Sequence, residues 1–112
     1  MTAATLTETM KQIEKEINAN PEPISGMDTV YQFEIDGEKF QLQLKDGTAV
    51  LLENAEAEAN CTLIMSNDNF HKFLAGKLNG MTAFMTGKLK IQGDMTKALK
   101  LENIIKQYDV NI

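Results

Sequence analysis

Tyr31-Gln32-Phe33-Glu34-Ile35-Asp36-Gly37-Glu38-Lys39-Phe40-Gln41-Leu42-Gln43-Leu44 reads as two strands and a turn. Apolar and polar residues alternate on both sides of Asp36-Gly37, the period of a strand with one face on a core. An Asp-Gly pair tolerates positive φ at both turn positions and favours a two-residue hairpin. That turn sets Phe33 opposite Phe40 and Tyr31 opposite Leu42. Those pairs lie on one face with Ile35 and Leu44, so turn chemistry and apolar pattern agree on one register.

Ten residues on, Asp46-Gly47 signals a second turn, and Ala49 to Glu53 reads as a third strand. Its phase is open: a tight turn buries Leu51, whereas a wider or bulged one buries Val50 and Leu52. Upstream, Leu6, Met10, Ile13 and Ile17 recur at spacings of four, three and four, one face of a helix. Thr5 with Glu8 makes a capping-box pattern at its start, and Asn20-Pro21 and Pro23 end it. Pro21 to Gly26 reads as a connector.

Downstream, Glu53 to Asn60 is a polar, Ala-rich loop and Cys61 to Met65 a fourth strand. Ser66 caps a short helix whose face is Phe70, Phe73 and Leu74, ending at Gly76. Gly80 to Met85 is ambiguous, with a helical turn as one option. Gly87 opens a fifth strand, in which Leu89 and Ile91 alternate with Lys88, Lys90 and Gln92. Gly93-Asp94 turns into a last helix with Asp94 as N-cap. Met95, Ala98, Leu99, Ile105 and Tyr108 form its apolar face, widened by Leu101 and Ile104. Helix, four strands, helix, strand, helix is an α+β order with the helices on one sheet face. There is no internal repeat.

The chain has 112 residues and is 43% hydrophobic, which fits one domain over 1–112 with a real core. No apolar run reaches membrane-spanning length and Met1 to Leu6 lacks a secretory pattern, so the expected location is cytoplasmic. The net charge of −5 argues against nucleic-acid binding. The charge is uneven: residues 1–60 carry four Lys against twelve acids, residues 61–112 seven Lys against four. Between Lys77 and Lys100 there are five Lys and one acid, Asp94. That asymmetry can steer an anionic ligand or a headgroup, although a solvated face is the plainer account. With no Arg, bidentate recognition of phosphate or carboxylate by Arg is excluded.

Catalytic constellations are scarce. His71 is the one histidine and reads as a surface helix residue, without partners for a triad or a His-rich metal site. Cys61 is the one cysteine, in an apolar strand, and reads as an inert core thiol. Gly80 and Gly87-Lys88 have the wrong spacing for a phosphate loop, with Leu89 where Ser or Thr is needed. Glu53, Glu56 and Glu58 read as a solvated loop. An enzyme acting on a lipid thioester would have only Cys61 and His71 to use. Seven methionines are more informative. Met65, Met81, Met85 and Met95 lie in the apolar second half, and flexible thioethers suit variable apolar surfaces as well as ordinary core filling.

Ala83-Phe84, Gly87-Lys88-Leu89-Lys90-Ile91 and Gly93-Asp94-Met95, in that order and spacing, resemble the signature of the sterol carrier protein type 2 family, the nonspecific lipid-transfer proteins. Asp46-Gly47, Cys61-Thr62-Leu63-Ile64-Met65-Ser66 and Phe70 to Leu78 follow the same pattern, so the likeness covers roughly residues 5–108. It implies a five-stranded sheet with helices over one face and an apolar tunnel between. It implies non-catalytic binding and intracellular transfer of fatty acids, fatty acyl-CoA, sterols or phospholipids, with no cofactor and no metal. Fatty acids and acyl-CoA are the safer ligands. The sequence ends Asp109-Val110-Asn111-Ile112 without a peroxisomal Ser-Lys-Leu address, so the expectation is a stand-alone prokaryotic member without a fused enzyme domain.

Strand alternation selects an inward set for that tunnel: Phe33, Ile35, Leu42, Leu44, Leu63, Met65, Leu89 and Ile91. The covering set is Phe70, Phe73, Leu74, Phe84, Met85, Met95, Leu99 and Ile105. Plain core packing accounts for at least half of these. Lys88 and Lys90 point across the sheet, away from Leu89 and Ile91. Lys77, Lys97 and Lys100 are better placed to meet a headgroup or make transient contact with a membrane surface. The competing reading is an accessory or dimerisation module with a closed cavity.

Overall fold

A computed structural model of the chain describes residues 6–52 and 57–108. Along the chain run α1 (Leu6–Ala19), a 3-10 turn (Glu22–Ile24), β1 (Asp28–Ile35), β2 (Glu38–Lys45) and β3 (Thr48–Leu52). Then come β4 (Cys61–Met65), α2 (Asn67–Leu74), α3 (Gly80–Met85), β5 (Leu89–Gly93) and α4 (Met95–Ile105). The five strands form one sheet in the order β3-β2-β1-β4-β5. This is the α+β architecture that the alternation and turns predict. Thr5, Glu53 and Glu56 lie outside the described residues, so the capping box and most of the acidic loop do too.

The first hairpin has the expected register, Phe33 beside Phe40 and Tyr31 beside Leu42. Both Asp36 and Gly37 adopt positive φ, at 49° and 86°, as a two-residue turn of this kind requires. The second hairpin closes Lys45 on Thr48 and settles the third strand's phase. Ala49 is buried, Leu51 packs against the core and Val50 is exposed, the outcome of the tight turn.

β4 lies parallel to β1, with Leu63 beside Phe33. A parallel pair needs a crossover, supplied here by the segment after β3. Its end is clipped in place: the Asn60 amide donates to the Val30 carbonyl (2.9 Å) and Asn60 Oδ1 accepts from the Val30 amide (2.8 Å). Gln41 exchanges two further hydrogen bonds with the Ala57 backbone, at 2.7 and 3.0 Å. That pairing satisfies a glutamine that is fully buried.

Tyr31, Phe33, Ile35, Leu42, Leu44 and Leu63 share the helix-covered face and are almost wholly buried. The Phe33 and Phe70 rings meet at 5.6 Å between centroids, tilted by 54°. α1 inserts Met10, Ile13 and Ile17 and covers the β3 edge. Asn18 donates to the Ala49 carbonyl (2.9 Å) and accepts from its amide (2.8 Å), and Glu14 accepts from the Leu51 amide (2.6 Å). The Tyr108 hydroxyl donates to the Asn20 carbonyl (2.6 Å), tying the segment after α4 to the end of α1.

Three local readings change. Gly80–Met85 is a helix, capped by Asn79, whose side chain accepts from the Thr82 amide (3.0 Å). The fifth strand starts at Leu89, because Gly87 sits at φ 80° in the turn that leaves α3. On α4 the buried residues are Ala98, Leu101, Ile104 and Ile105, while Met95 and Leu99 stand at the margin. The apolar stripe of α4 is wider than the sheet surface it meets, so position on the stripe alone does not settle which part is buried.

Candidate functional site

The structure divides the sixteen apolar site candidates into two groups. Phe33, Ile35, Leu42, Leu44, Leu63, Met65, Phe70, Phe73, Leu74, Leu89 and Ile105 are all buried. Side chains with so little surface open to water pack against one another and leave no room beside them for a ligand, so among the described residues the implied tunnel is not displayed. Phe84, Met85, Met95 and Leu99 are exposed, and Ile91 is half-buried. Met81, which the strand and helix patterns did not select, is exposed as well.

These exposed residues belong to neighbouring helices. On α4, Met95, Leu99, Glu102 and Lys106 follow spacings of four, three and four and therefore form one row. Glu102 in that row holds the start of α3, accepting from the Gly80 amide (3.2 Å), and is paired with Lys106 (3.1 Å). A Cβ at position 80 would displace the Glu102 carboxylate from the Gly80 amide. Phe84 lies one turn from Gly80 on the same side of α3. The helices are pinned together at Gly80 and Glu102. Phe84 on α3 and Leu99 and Met95 on α4 lie on the helix sides that carry this contact, and both helices pack against β5. Met81 is 45% exposed and Met85 78%, extending the apolar surface along α3. A cleft of about 590 Å³ elsewhere, around Pro21, Glu22, Gly26, Asp28 and Asp46, is lined by loops and carboxylates and does not suit an acyl chain.

The start of α4 is latched to β1. Tyr31 Oη donates to the Lys97 carbonyl (2.7 Å), and Lys97 Nζ donates to Thr29 Oγ1 (3.2 Å). Asp94 caps the helix, accepting from the Thr96 amide (2.9 Å). Lys97 is therefore engaged and half-buried, whereas Lys77 and Lys100 are exposed. Lys88 and Lys90 are exposed too, and Lys90 lies beside Ile64. Cys61 is buried, and its thiol is pushed up to about 11, chiefly by burial and then by the Asp94 charge, with Lys97 acting in the opposite sense. An activated thiol needs the reverse shift. His71 is half-buried on α2. Among the described residues no group of three or more His, Cys, Asp or Glu could hold a metal ion, and no helix is long and apolar enough to cross a membrane.

The SCP-2 sterol transfer family model matches residues 10–106, and the chain belongs to that family. It is 39% identical over 114 residues to hydroxysteroid dehydrogenase-like protein 2 of Xenopus laevis, covering 98% of this chain but 27% of that protein. Sterol carrier protein 2 from Yarrowia lipolytica, in its apo form, has the same fold, with a TM-score of 0.73, 25% identity and 98% of each chain covered. Palmitated SCP2L2 from Aedes aegypti superposes with a TM-score of 0.70 at 20% identity, covering 91% of this chain and 95% of that one.

Proposed function

We propose that this chain, as a single domain over 1–112, binds fatty acids or fatty acyl-CoA and carries them in the cytoplasm without acting on them. Sterols and phospholipids are secondary ligands. One observation carries the reading: five large apolar side chains, Met81, Phe84, Met85, Met95 and Leu99, stand exposed on α3 and α4 in a member of a sterol transfer family. Exposed apolar clusters of this kind mark binding sites. The palmitate on the Aedes aegypti protein supports a single acyl chain as the ligand. Burying such a chain gains about 0.8 kcal/mol per CH2 before ordering costs, so affinity comes from length and selectivity is loose. The buried candidates would line the acyl path if α3 and α4 part from the sheet, and Lys77, Lys97 and Lys100 would meet the carboxylate or phosphate. The raised Cys61 thiol supports a carrier over a thioester enzyme.

Lipid extraction and mass analysis of freshly purified protein should find co-purifying acyl lipid, and a fluorescent fatty acid should bind and be displaced by palmitate. A folded protein that fails both overturns the reading. A second reading, an accessory or dimerisation module, draws on the same exposed surface and on the chain spanning about a quarter of its Xenopus laevis relative. A dimer by sizing without lipid uptake would favour it.

A further inference from the structure

The sequence from Asn69 to Gly93 holds Lys72, Lys77, Lys88 and Lys90 and no Asp or Glu, a net +4 in a chain whose total is −5. All four lysines are exposed. In the middle of this segment α3 presents Met81, Phe84 and Met85 to solvent, with Met85 the most exposed large apolar residue among those described. Lys77 precedes the α3 cap and Lys88 follows its last turn. The helix is not loosely hung: Ala83 is in the core, Glu102 holds the Gly80 amide, and the Lys88 amide donates to the Ala83 carbonyl (2.8 Å). A short, anchored apolar prow flanked by cations, whose one neighbouring carboxylate, Glu102, is paired with Lys106, matches an anionic bilayer surface, which offers negative headgroups above an apolar layer.

We infer that α3 docks the protein on anionic membranes, with Met81, Phe84 and Met85 entering the interface and Lys77 and Lys88 meeting the headgroups. This deepens the carrier reading and rests on it. The exposed apolar side chains of α3 would then lie in the interface, where an acyl chain could pass between membrane and protein without crossing water. Each lysine at an anionic surface contributes roughly a fivefold gain in partition, and the gain is screened by salt.

The chain has no tryptophan, so Met85→Trp introduces a single reporter. It is titrated with vesicles of phosphatidylcholine alone and with vesicles in which about a third is phosphatidylglycerol. Docking predicts a blue shift with the anionic vesicles, quenching by brominated acyl chains, and weakening in salt. Lys77→Gln with Lys88→Gln in the same reporter should weaken partition by roughly 25-fold while circular dichroism is unchanged. Unchanged emission, equal partition to both vesicles, or an indifferent double variant would overturn the inference. So would a blue shift that appears with protein concentration alone, the mark of a second copy on α3. The unmodified protein is assayed in parallel for fatty-acid uptake from solution. Uptake without docking sinks this inference and leaves the carrier reading standing; docking without uptake does the opposite.

Discussion

Gly93 ends β5 at φ 89°, and a Cβ there would lie 2.6 Å from the Asn60 carbonyl oxygen. Both the backbone conformation and the approach of the neighbouring strand therefore demand glycine. Gly93→Ala should lower the urea midpoint of unfolding by the equivalent of about 1–3 kcal/mol. A midpoint within error of the parent would show that the turn from β5 into α4 yields more easily than its geometry suggests. Gly93-Asp94 was legible in the sequence as a turn; the contact with Asn60 was not. The polar pairs that lock the sheet, Gln41 with Ala57 and Asn18 with Ala49, join residues 16 and 31 positions apart. A single sequence carries periodicity but no record of such long-range partners.

At the scale of elements, α4 depends on a latch outside itself. Tyr31→Phe removes the hydroxyl that holds the Lys97 carbonyl and leaves an acceptor short of its partner. We expect a loss of about 1–3 kcal/mol, with faster amide exchange concentrated in the residues around Lys97. Exchange that rises evenly over the molecule would argue against a local latch. The hairpins were readable because a strand has period two and Asp-Gly names its own turn. α3 was not: six residues are too few for a helical period to show, and Met81 escaped selection with it. On α4 the sequence showed the apolar stripe but not which part the sheet would cover. Met95 and Leu99 came from the apolar stripe of the last helix and Phe84 and Met85 from the resemblance, and the exposure of all four became visible only with the helices in place.

For the whole molecule, pH offers a further test. Burial raises the Cys61 thiol from 9.0 to about 11 and raises the Tyr31 phenol as well. Both are neutral acids stabilised by folding, so their contribution is intact below the ordinary thiol range and is lost as pH climbs through the folded value. Stability should fall between about pH 9 and 11, and Cys61→Ser should flatten that part of the curve if the thiol drives it. At neutral pH a maleimide should label Cys61 slowly in native protein and quickly in denaturant. Equal labelling rates would mean the strand opens freely.

The two hairpins were apparent from the sequence, the β1–β4 and β4–β5 pairings were not, and neither was one consequence of the sheet's outer boundary. Asn18 and Glu14 occupy the N–H and C=O groups that β3 would otherwise offer to a further strand. α1 is therefore a terminator as well as a lid. A chain from which α1 had been cut away would present an open row of hydrogen-bonding groups to its own kind. It would be limited less by heat than by crowding, stacking into aggregates as its concentration rose.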